Sequence, residues 1–479
     1  MMSAKNRLRN GVVTLLCRTL VIAMGVWIAA CADNAPERSR APISANTNAS
    51  AKPAPEISQP QRPAIKPAQP EQRIQWTAYQ QPQQIALLLP LNGRLGGFGT
   101  AVRDGFMAAY EDARAHGVPL PNVRIYDTTE SPNFIELYQR ALAEGAQTII
   151  GPLEKSQVAA LYTQQNGAAL SVPTLALNRA EIIAGNIAAN PPANLYQFGL
   201  APEDEASEIS RMAAQQKYKH AVVIADEDDR RSRELQTFTQ SWQQSGGDIT
   251  ATAFYRDAQS MSQTIKTALN IPQSEARKRD MEILLGRKLE FAPHRRGDID
   301  MIFLMARPQQ ARSIMPTLAF HYAGDVPVYA LSRSYNGVVS ADDKDLEGLR
   351  FTEIPWVLDA QQPLKQQLLA SSPQAQNYLR LYALGVDSFA LYPQLRRLET
   401  QPDSRIVGQT GYLTLSPQRI VQRELLLAEF KDGVAKVVGE NIGADGINNS
   451  GINSSDINDN SFNNSGRDSP NDSTPENRR

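Results

Sequence analysis

Four consecutive acidic residues, Asp226 to Asp229, form a compact group of carboxylates that could bind a divalent cation. They directly follow the apolar run Ala221 to Ala225 and precede Arg230, Arg231 and Arg233. Acidic residues at the start of a helix also interact favourably with the helix dipole. The adjacent arginines favour this helix-capping role, so we expect no metal at this position.

A glycine-rich segment, Leu95 to Gly99, follows the first predicted strand and could bind phosphate at a helix N-terminus. It lacks the Lys-Ser/Thr ending of a P-loop and the spacing of a dinucleotide-binding loop. We therefore favour a tight connection into the first helix over a phosphate site.

Motifs of the common enzyme classes are absent from the sequence. It contains no Gly-x-Ser-x-Gly, no Ser-x-x-Lys, no Walker loop and no Gly-x-Gly-x-x-Gly. The four histidines are scattered, without metal-ligand spacing, at His116, His220, His294 and His321. The sequence therefore predicts a protein that is not an enzyme and that holds neither a cofactor nor a metal.

Charge and cysteine content exclude two further classes of protein. The 479 residues contain 49 Lys and Arg against 50 Asp and Glu, and a net charge of −1 argues against a nucleic-acid-binding protein. Only two cysteines are present, Cys17 and Cys31, which excludes a scaffold stabilised by several disulfides.

Short apolar runs alternate with segments of helical periodicity, which predicts an α/β fold. The run at 85–89 is continuously apolar, as in a parallel strand that is buried on both faces. Further strands are predicted at 123–126, 148–150, 174–177, 221–225, 249–255, 300–305, 326–330, 424–430 and 434–438. Helices are predicted at 98–113, 134–144, 154–164, 203–215, 230–245, 260–269 and 309–320.

These elements predict two doubly wound α/β lobes within residues 83–440, a length that suits two lobes better than one. We place the first lobe at about 83–200 and 331–410, and the second at about 201–330 and 411–440. Ligands of open α/β sheets bind at the carboxyl ends of the strands. The candidate residues of a cleft between the lobes are Asn92, Thr128, Thr129, Gly151, Asn178, Arg179, Asp226, Ser332 and Tyr335.

A basic segment at 275–296 is the candidate surface for a protein partner. Met281, Leu284, Leu285 and Leu289 recur in it at helical spacing, which predicts an amphipathic helix that packs on the second lobe with a solvated basic face. The alternative interpretation is a docking surface for an acidic partner. Its cations are Arg277, Lys278, Arg279, Arg287, Lys288, Arg295 and Arg296.

The N-terminus has the features of a bacterial lipoprotein signal. A basic region is followed by the uncharged, mostly apolar stretch 19–30, which is too short to span a bilayer as a helix. It ends in Ile28-Ala29-Ala30-Cys31, which resembles a lipobox whose cysteine receives lipid after removal of residues 1–30. Ala32 follows the cysteine, and by the sorting rule of such lipoproteins this residue indicates the outer membrane. The alternative is a secretory signal with an incidental cysteine.

Two segments beside the lobes have compositions that cannot build a core. The lipidated Cys31 begins a proline-rich tether, 31–82, that we expect to be disordered. Residues 441–479 are rich in Asn and Ser and are also expected to be disordered. Apolar residues every five positions from Ile442 leave a single β-helical coil as the alternative for this tail.

Two α/β lobes behind a secretion signal resemble the type I periplasmic-binding-protein fold. More specific similarity lies in 84–93, in Gly151-Pro152-Leu153-Glu154-Lys155 and in 295–306, which begins Arg-Arg-Gly-Asp-Ile-Asp. These segments resemble the LppC family of outer-membrane lipoproteins. The resemblance covers about 83–440 together with the lipobox.

The family resemblance implies a lipid-anchored, non-catalytic regulator that binds and activates a class A penicillin-binding protein, a peptidoglycan synthase. Longer members carry an N-terminal helical repeat domain where this sequence has the proline-rich tether, so functions of that domain are not carried over. The alternative is a lipid-anchored periplasmic receptor that binds a small solute between its lobes. Ala32 favours the regulator, because uptake receptors usually work at the inner membrane.

Overall fold

A computed structural model describes residues 82–164, 169–180 and 191–438. The predicted signal peptide, Cys31, nearly all of the tether and the Asn- and Ser-rich tail lie outside the described residues. None of the helices in the described ranges is both long and apolar enough to cross a bilayer.

The first part of the chain alternates strands and helices. Its strands are β1 (Gln84–Leu89), β2 (Asn122–Asp127), β3 (Thr148–Ile150), β4 (Thr174–Ala176) and β5 (Leu195–Gln197). Its helices are α1 (Gly96–Ala115), α2 (Phe134–Ala143) and α3 (Lys155–Gln164). All five strands are parallel, in the order β2-β1-β3-β4-β5.

The central part continues the alternation. Its helices are α4 (Pro202–Gln215), α5 (Arg233–Gln244), α6 (Ala258–Ala268), α7 (Ile271–Leu285) and α8 (Pro308–Phe320). Its strands are β6 (His220–Asp226), β7 (Asp248–Tyr255), β8 (Met301–Met305), β9 (Val328–Ala330) and β10 (Leu349–Glu353).

The last part begins with helices and ends with strands. The helices are α9 (Pro355–Leu358), α10 (Pro363–Ser371), α11 (Leu379–Leu391) and α12 (Leu395–Thr400). The strands are β11 (Ile406–Gly408), β12 (Gly411–Leu415), β13 (Val421–Glu424), β14 (Leu426–Lys431) and β15 (Val434–Val437). The second sheet has the order β15-β14-β10-β9-β8-β6-β7, and β11, β12 and β13 form a small antiparallel sheet.

Each large sheet is covered by helices on both faces. In β1, Leu87 packs into an apolar cluster with α1, whereas Leu88 packs into a separate cluster with α2 and α3. In β6, Ile224 packs with α6 and α8, whereas Val223 packs with α4 and α5. Side chains that alternate between two buried faces explain why these strands are continuously apolar. The predicted doubly wound lobes are therefore confirmed.

The predicted strands are found within two residues of their expected positions. The predicted tight turn between the last two strands is also present, since Asp432 and Gly433 both have positive φ. One lobe boundary was wrong. The range 331–410 was assigned to the first lobe, but β10 hydrogen-bonds with β9 and β14 in the second sheet.

The chain crosses between the two sheets three times. It passes from β5 to α4, returns from β10 to α9, and crosses again from β13 to β14. Buried polar groups hold these crossings: the Glu205 carboxylate accepts hydrogen bonds from the backbone N and Oγ of Ser332 at 2.7 and 2.9 Å. Arg380 on α11 pairs with the buried Glu353 at the end of β10. The Arg380–Glu353 pair joins the two lobes, because α11 packs on α1 of the first lobe whereas β10 belongs to the second sheet.

Candidate functional site: the interlobe cleft and the basic segment

A cavity of about 1010 Å³ lies between the two lobes, and we call it the interlobe cleft. The first lobe contributes the connections that follow β1, β3 and β4, and the second lobe contributes the starts of α4 and α5. Loops at the carboxyl ends of parallel strands are where open α/β sheets bind ligands. The cleft therefore lies at the carboxyl ends of strands, where the sequence analysis predicts it.

Two of the nine predicted cleft residues line this cavity, Asn178 and Arg179. The Asn178 side chain donates a hydrogen bond to the Leu153 carbonyl at 2.9 Å and accepts one from the backbone N of Arg179. Asn178 thus joins the connections that follow β3 and β4. The Arg179 guanidinium pairs with Asp204 on the second lobe, so its charge is committed to a structural contact.

Three other predicted cleft residues gather around Asp127 at the end of β2, away from the cavity lining. Asn92 donates to the Asp127 carboxylate at 2.6 Å, and Thr129 donates to it from both its backbone N and its hydroxyl. Burial alone would raise the pKa of Asp127, but these hydrogen bonds and one from Leu91 lower it below its usual value. Thr128 is buried beside this carboxylate. The group is a polar turn that fixes the connection after β1.

The remaining predicted cleft residues have structural roles outside the cavity lining. Gly151 has a φ of +110°, and a Cβ there would clash with the Leu88 carbonyl, so glycine is required where the backbones approach. Asp226 accepts a hydrogen bond from Gln310 at 2.8 Å. Ser332 and Tyr335 are only 7% and 6% exposed.

The prediction that Ser332 and Tyr335 face the cleft was wrong. Ser332 is held by the Glu205 carboxylate. The Tyr335 ring packs against Phe351 and Phe430, with each ring-centroid distance at 5.5 Å. The carboxyl-end rule fails here because the chain after β9 enters the core, where Tyr335 packs against residues of β10 and β14.

The sequence reasoning missed the cations that line the cleft: Arg94, Lys155 and Arg233. A signal for two of them was present. Arg94 lies two residues after Asn92, and Lys155 ends the Gly151 to Lys155 segment that was singled out as a family motif. Arg233 begins α5 and pairs with Glu203 at 3.8 Å. Two carboxylates, Glu154 and Glu203, line the cleft beside these cations.

The acidic run and the glycine-rich segment have the structural roles that were favoured on the sequence. Asp226 caps the turn that follows β6, Glu227 pairs with Arg230, and Asp229 pairs with Arg333. Among the described residues, no group of His, Cys, Asp or Glu side chains is arranged to hold a metal ion. At Gly99, a Cβ would clash with the Pro90 carbonyl, which explains the glycine at the start of α1.

The basic segment differs from its prediction. A helix, α7, is present but ends at Leu285, so Leu289 and the cations from Arg287 onward follow it. The apolar residues do not pack on the lobe: Ile283 and Leu284 are 81% and 79% exposed, and Met281 and Leu285 are about half exposed. Only Ile271 and Ser274 of α7 are buried, so the helix is anchored through its first turn.

The seven cations of this segment fall into two groups. Arg295 pairs with Asp325, and Arg296 pairs with Asp298, so both hold the loop that follows α7. Lys278 pairs with Glu282 at 3.7 Å and lies over the Phe291 ring. The exposed cations are Arg277, Arg279, Arg287 and Lys288. Together with Ile283 and Leu284 they form a basic and apolar surface, which we call the α7 surface.

Residues 56–433 match the LppC family, which is described as a putative lipoprotein family. The chain belongs to the LppC family. The resemblance seen in the sequence motifs is thereby confirmed.

Relatives of this LppC-family protein include penicillin-binding protein activators named LpoA. The chain is 28% identical to LpoA of Vibrio antiquarius over 354 residues, which cover 73% of this chain and 57% of that protein. It is 29% identical to LpoA of Photobacterium profundum over 355 residues, covering 73% of this chain and 56% of that protein. The chain therefore spans a little over half the length of these relatives.

Solved structures share the fold. The C-domain of LpoA from Haemophilus influenzae, described as a regulator of PBP1A, superposes with a TM-score of 0.57 at 24% identity. The match covers 74% of this chain and 99% of that domain. A putative branched-chain amino acid ABC transporter protein from Chromobacterium violaceum gives a TM-score of 0.54 at 26% identity, covering 72% of this chain and 99% of that one. The two-lobed receptor-like fold predicted from the sequence is confirmed.

Proposed function

We propose that this protein binds and activates a class A penicillin-binding protein in peptidoglycan synthesis, as a regulator without catalytic activity of its own. The observation that carries the proposal is the alignment with the LpoA proteins, which spans 73% of the chain and includes both lobes. A similar share of the chain, 74%, superposes on the domain of Haemophilus influenzae LpoA that is described as a regulator of PBP1A. The region shared with the relatives is the proposed activating part.

We further propose that the protein is anchored at the periplasmic face of the outer membrane by lipid, including palmitate, on Cys31. The lipobox at 28–31 and Ala32 support this location. Buried acyl chains contribute about 0.8 kcal/mol per CH₂, so the several chains of a lipoprotein hold a protein stably at a membrane. An anchored regulator would have to reach a synthase, and we propose that the proline-rich segment 31–82 provides this reach.

We place the contact with the synthase on the α7 surface. Arg277, Arg279 and Arg287 are exposed there beside Ile283 and Leu284. A surface that combines apolar side chains with cations suits a protein partner with a complementary acidic patch. Charges at the rim of such a contact mainly set the association rate and its salt dependence, whereas desolvated apolar side chains contribute most of the affinity.

The first test measures activation. Purified class A synthase is assayed for glycan polymerisation and peptide cross-linking with and without this protein. The proposal predicts a faster reaction only when both proteins are present. Product formation by this protein alone, or an unchanged synthase rate at saturating protein, would disprove the proposed function.

The second test locates the contact by surface plasmon resonance at two salt concentrations. Arg277→Glu/Arg279→Glu should slow association, and Ile283→Ser/Leu284→Ser should speed dissociation, each weakening binding about tenfold. Lys278 is left unchanged because it pairs with Glu282. Arg114→Glu/Arg396→Glu is the charge-matched control on exposed positions of α1 and α12. If both α7 variants bind the synthase with the same affinity as the control, the synthase does not contact the α7 surface.

A further inference from the structure

We propose that two copies of this protein join through the free edge of the second sheet, with β7 of one copy antiparallel to β7 of the other. The strand β7 pairs with β6 on one side, and no other strand of the described residues pairs with its other side. A sheet edge of this kind offers unpaired backbone N–H and C=O groups to another chain. Formation of this dimer does not require the synthase.

The register of the sheet shows which residues of β7 face the free edge. The His220 carbonyl in β6 accepts a hydrogen bond from the backbone N of Asp300, on the side of β8. Alternate residues of a strand direct their backbone groups to opposite sides, so Val223, three residues later, faces β7. Val223 lies opposite Thr252, and in a parallel pair only one of two opposite residues bonds to the other strand. Thr252 therefore directs its N–H and C=O to the free edge, as does Phe254 two residues later.

The middle of this edge lacks the features that normally prevent pairing between sheets. Natural edge strands are usually short or carry prolines, charged side chains or bulges. The strand β7 has eight residues and one irregularity, near Thr250, whereas 251–255 reads Ala-Thr-Ala-Phe-Tyr, without proline or charge. Thr252 is exposed. The edge is therefore open to another strand from residue 251 onward.

A groove of mainly uncharged lining lies on each side of β7. The groove beside α5 has a volume of about 500 Å³, and the groove beside α6 has a volume of about 680 Å³. The two helices line them with uncharged side chains only: Leu235, Thr239 and Gln243 from α5, and Gln263, Thr264, Thr267 and Ala268 from α6. Depletion of charged residues is what distinguishes the core of a protein interface from the rest of the surface.

The two cations that line the grooves already have partners. Arg230 lines both grooves, donates two hydrogen bonds to the Glu227 carboxylate and lies over the Phe254 ring. Arg296 lines the groove beside α6 and pairs with Asp298. A second copy that covers the grooves therefore leaves neither cation buried without a carboxylate, which would be costly.

Opposite charges at the two ends of β7 favour a second copy as the occupant. Asp248 begins the strand, Arg256 directly follows it, and both are exposed. An antiparallel pair centred on Thr252 places each Asp248 near Arg256 of the other copy, so a two-fold axis makes this contact twice. One Asp248 oxygen also contacts the His220 ring at 2.6 Å. Parallel pairing in register would instead place like charges side by side, which is unfavourable.

The helices beside the edge also fit this dimer. The helix α5 connects β6 to β7 and packs on both strands. Neighbouring strands are about 4.8 Å apart, so the two copies of α5 would lie two strand spacings, or about 10 Å, from each other across the axis. Packed helices have axes about 8–10 Å apart. A sheet that continues through both copies therefore brings the α5 helices into packing distance without overlap.

Disulfide trapping in the oxidising periplasm tests the pairing on the full chain. Hydrogen-bonded opposite residues of antiparallel strands have Cα atoms about 5.5 Å apart, within the range that a disulfide spans. Thr252→Cys should therefore form a covalent dimer that a reducing agent splits. The wild type and Thr400→Cys, an exposed threonine of α12, are the controls. If Thr252→Cys forms no more covalent dimer than these controls, the two strands do not pair and the proposal is overturned.

Charge reversal tests whether the occupant is a second copy. Sedimentation equilibrium of the purified full chain in detergent measures the dissociation constant of the dimer. Asp248→Arg and Arg256→Asp should each weaken the dimer about tenfold, and the double variant Asp248→Arg/Arg256→Asp should restore it. Arg114→Asp, an exposed change on α1, is the control and should dimerise like the wild type.

Circular dichroism and the melting temperature establish that each variant is folded. A folded double variant that dimerises as tightly as the wild type supports pairing between two copies of β7. A wild-type chain that stays monomeric up to about 100 μM would overturn the proposal. A folded double variant that dimerises no better than the single variants would also overturn it.

Discussion

Arg179 and Asp204 form a bidentate ion pair between the two lobes, with both Nη–Oδ distances at 2.7 Å. Arg179 also donates to the Val421 carbonyl at 3.2 Å, and Arg423 lies 3.7 Å from the same Asp204 carboxylate. One carboxylate thus connects the end of β4, the first turn of α4 and β13. These polar contacts connect the two lobes, as does the apolar cluster that contains residues of both sheets.

Arg179→Gln should destabilise the folded protein by about 1.5–3 kcal/mol, because it leaves a partly buried carboxylate with a weaker partner. Urea unfolding measures this loss. A double-mutant cycle with Asp204→Asn should give a coupling free energy above about 0.5 kcal/mol. Arg94→Gln, an exposed cation at the same cleft, is the control and should unfold like the wild type. Additive effects of Arg179→Gln and Asp204→Asn would show that the pair does not join the lobes energetically.

Gly385→Ala should lower the free energy of unfolding by about 1–3 kcal/mol, because the backbone of α11 lies directly against that of α1 at Gly385. A Cβ at position 385 would clash with the Val102 carbonyl, and one at Gly105 would clash with the Tyr382 carbonyl. Gly297→Ala is the matched control, since a Cβ there meets nothing within 4 Å. Equal melting temperatures of the Gly385→Ala and Gly297→Ala variants would contradict the close packing of the two helices.

Asp387 should make the stability of the protein depend on pH. Burial raises the pKa of this carboxyl to about 6 from an ordinary value of 3.8, although hydrogen bonds from Thr410 and Gln409 lower it. The folded state therefore holds the proton more tightly than the unfolded chain. The resulting stabilisation is present at low pH and is lost as the pH rises from about 4 to about 6.

Asp387→Asn removes this titration. The unfolding free energy of the wild type minus that of the variant should fall by about 2–3 kcal/mol between pH 4 and pH 7. Urea unfolding at several pH values measures this difference, and the exposed Asp403→Asn is the control. A difference that stays constant, or that rises with pH, would contradict the raised pKa of Asp387.

Cys31→Ser should release a folded protein from the membrane. The proposed anchor is lipid on this cysteine, and none of the described helices can span a bilayer. Fractionation after a high-salt wash, together with labelling by radioactive palmitate, measures the effect. Thr47→Ser, a conservative change in the tether, is the control. A Cys31→Ser variant that still sediments with the outer membrane would rule out the lipid anchor.

The sequence predicted the strands well because they are short, continuously apolar runs between polar turns, as in β1 and β8. No element was predicted between 331 and 423, although β10, β11, β12, most of β13 and the helices α9 to α12 lie there. The helix α11 is buried on nearly all sides, from Leu379 to Leu391, so it lacks the polar face that produces a helical period. The strands β11 to β13 are only three to five residues long, too short for a clear alternation.

The candidate site was less predictable than the fold. Asn178 and Arg179 were placed correctly because they follow β4, a parallel strand whose carboxyl end faces the cleft. Ser332 was misplaced because its burial depends on Glu205, which lies 127 residues away in the chain. The apolar residues of α7 have a helical spacing that normally indicates a packed face, yet Ile283 and Leu284 are exposed. The spacing of apolar residues along a helix does not show whether a neighbouring element covers them.

The three crossings between the sheets also constrain the order in which the molecule can fold during synthesis. Domains usually fold as units, the N-terminal one first. Here the first lobe needs α11, Leu379–Leu391, to cover α1, and the second sheet needs β14, Leu426–Lys431, beside β10. Neither lobe can complete its core until nearly the whole two-lobed body has been made. A nascent chain that stops near residue 354 would expose the apolar side of α1. We expect chaperones to bind such a chain, because they bind exposed apolar surface.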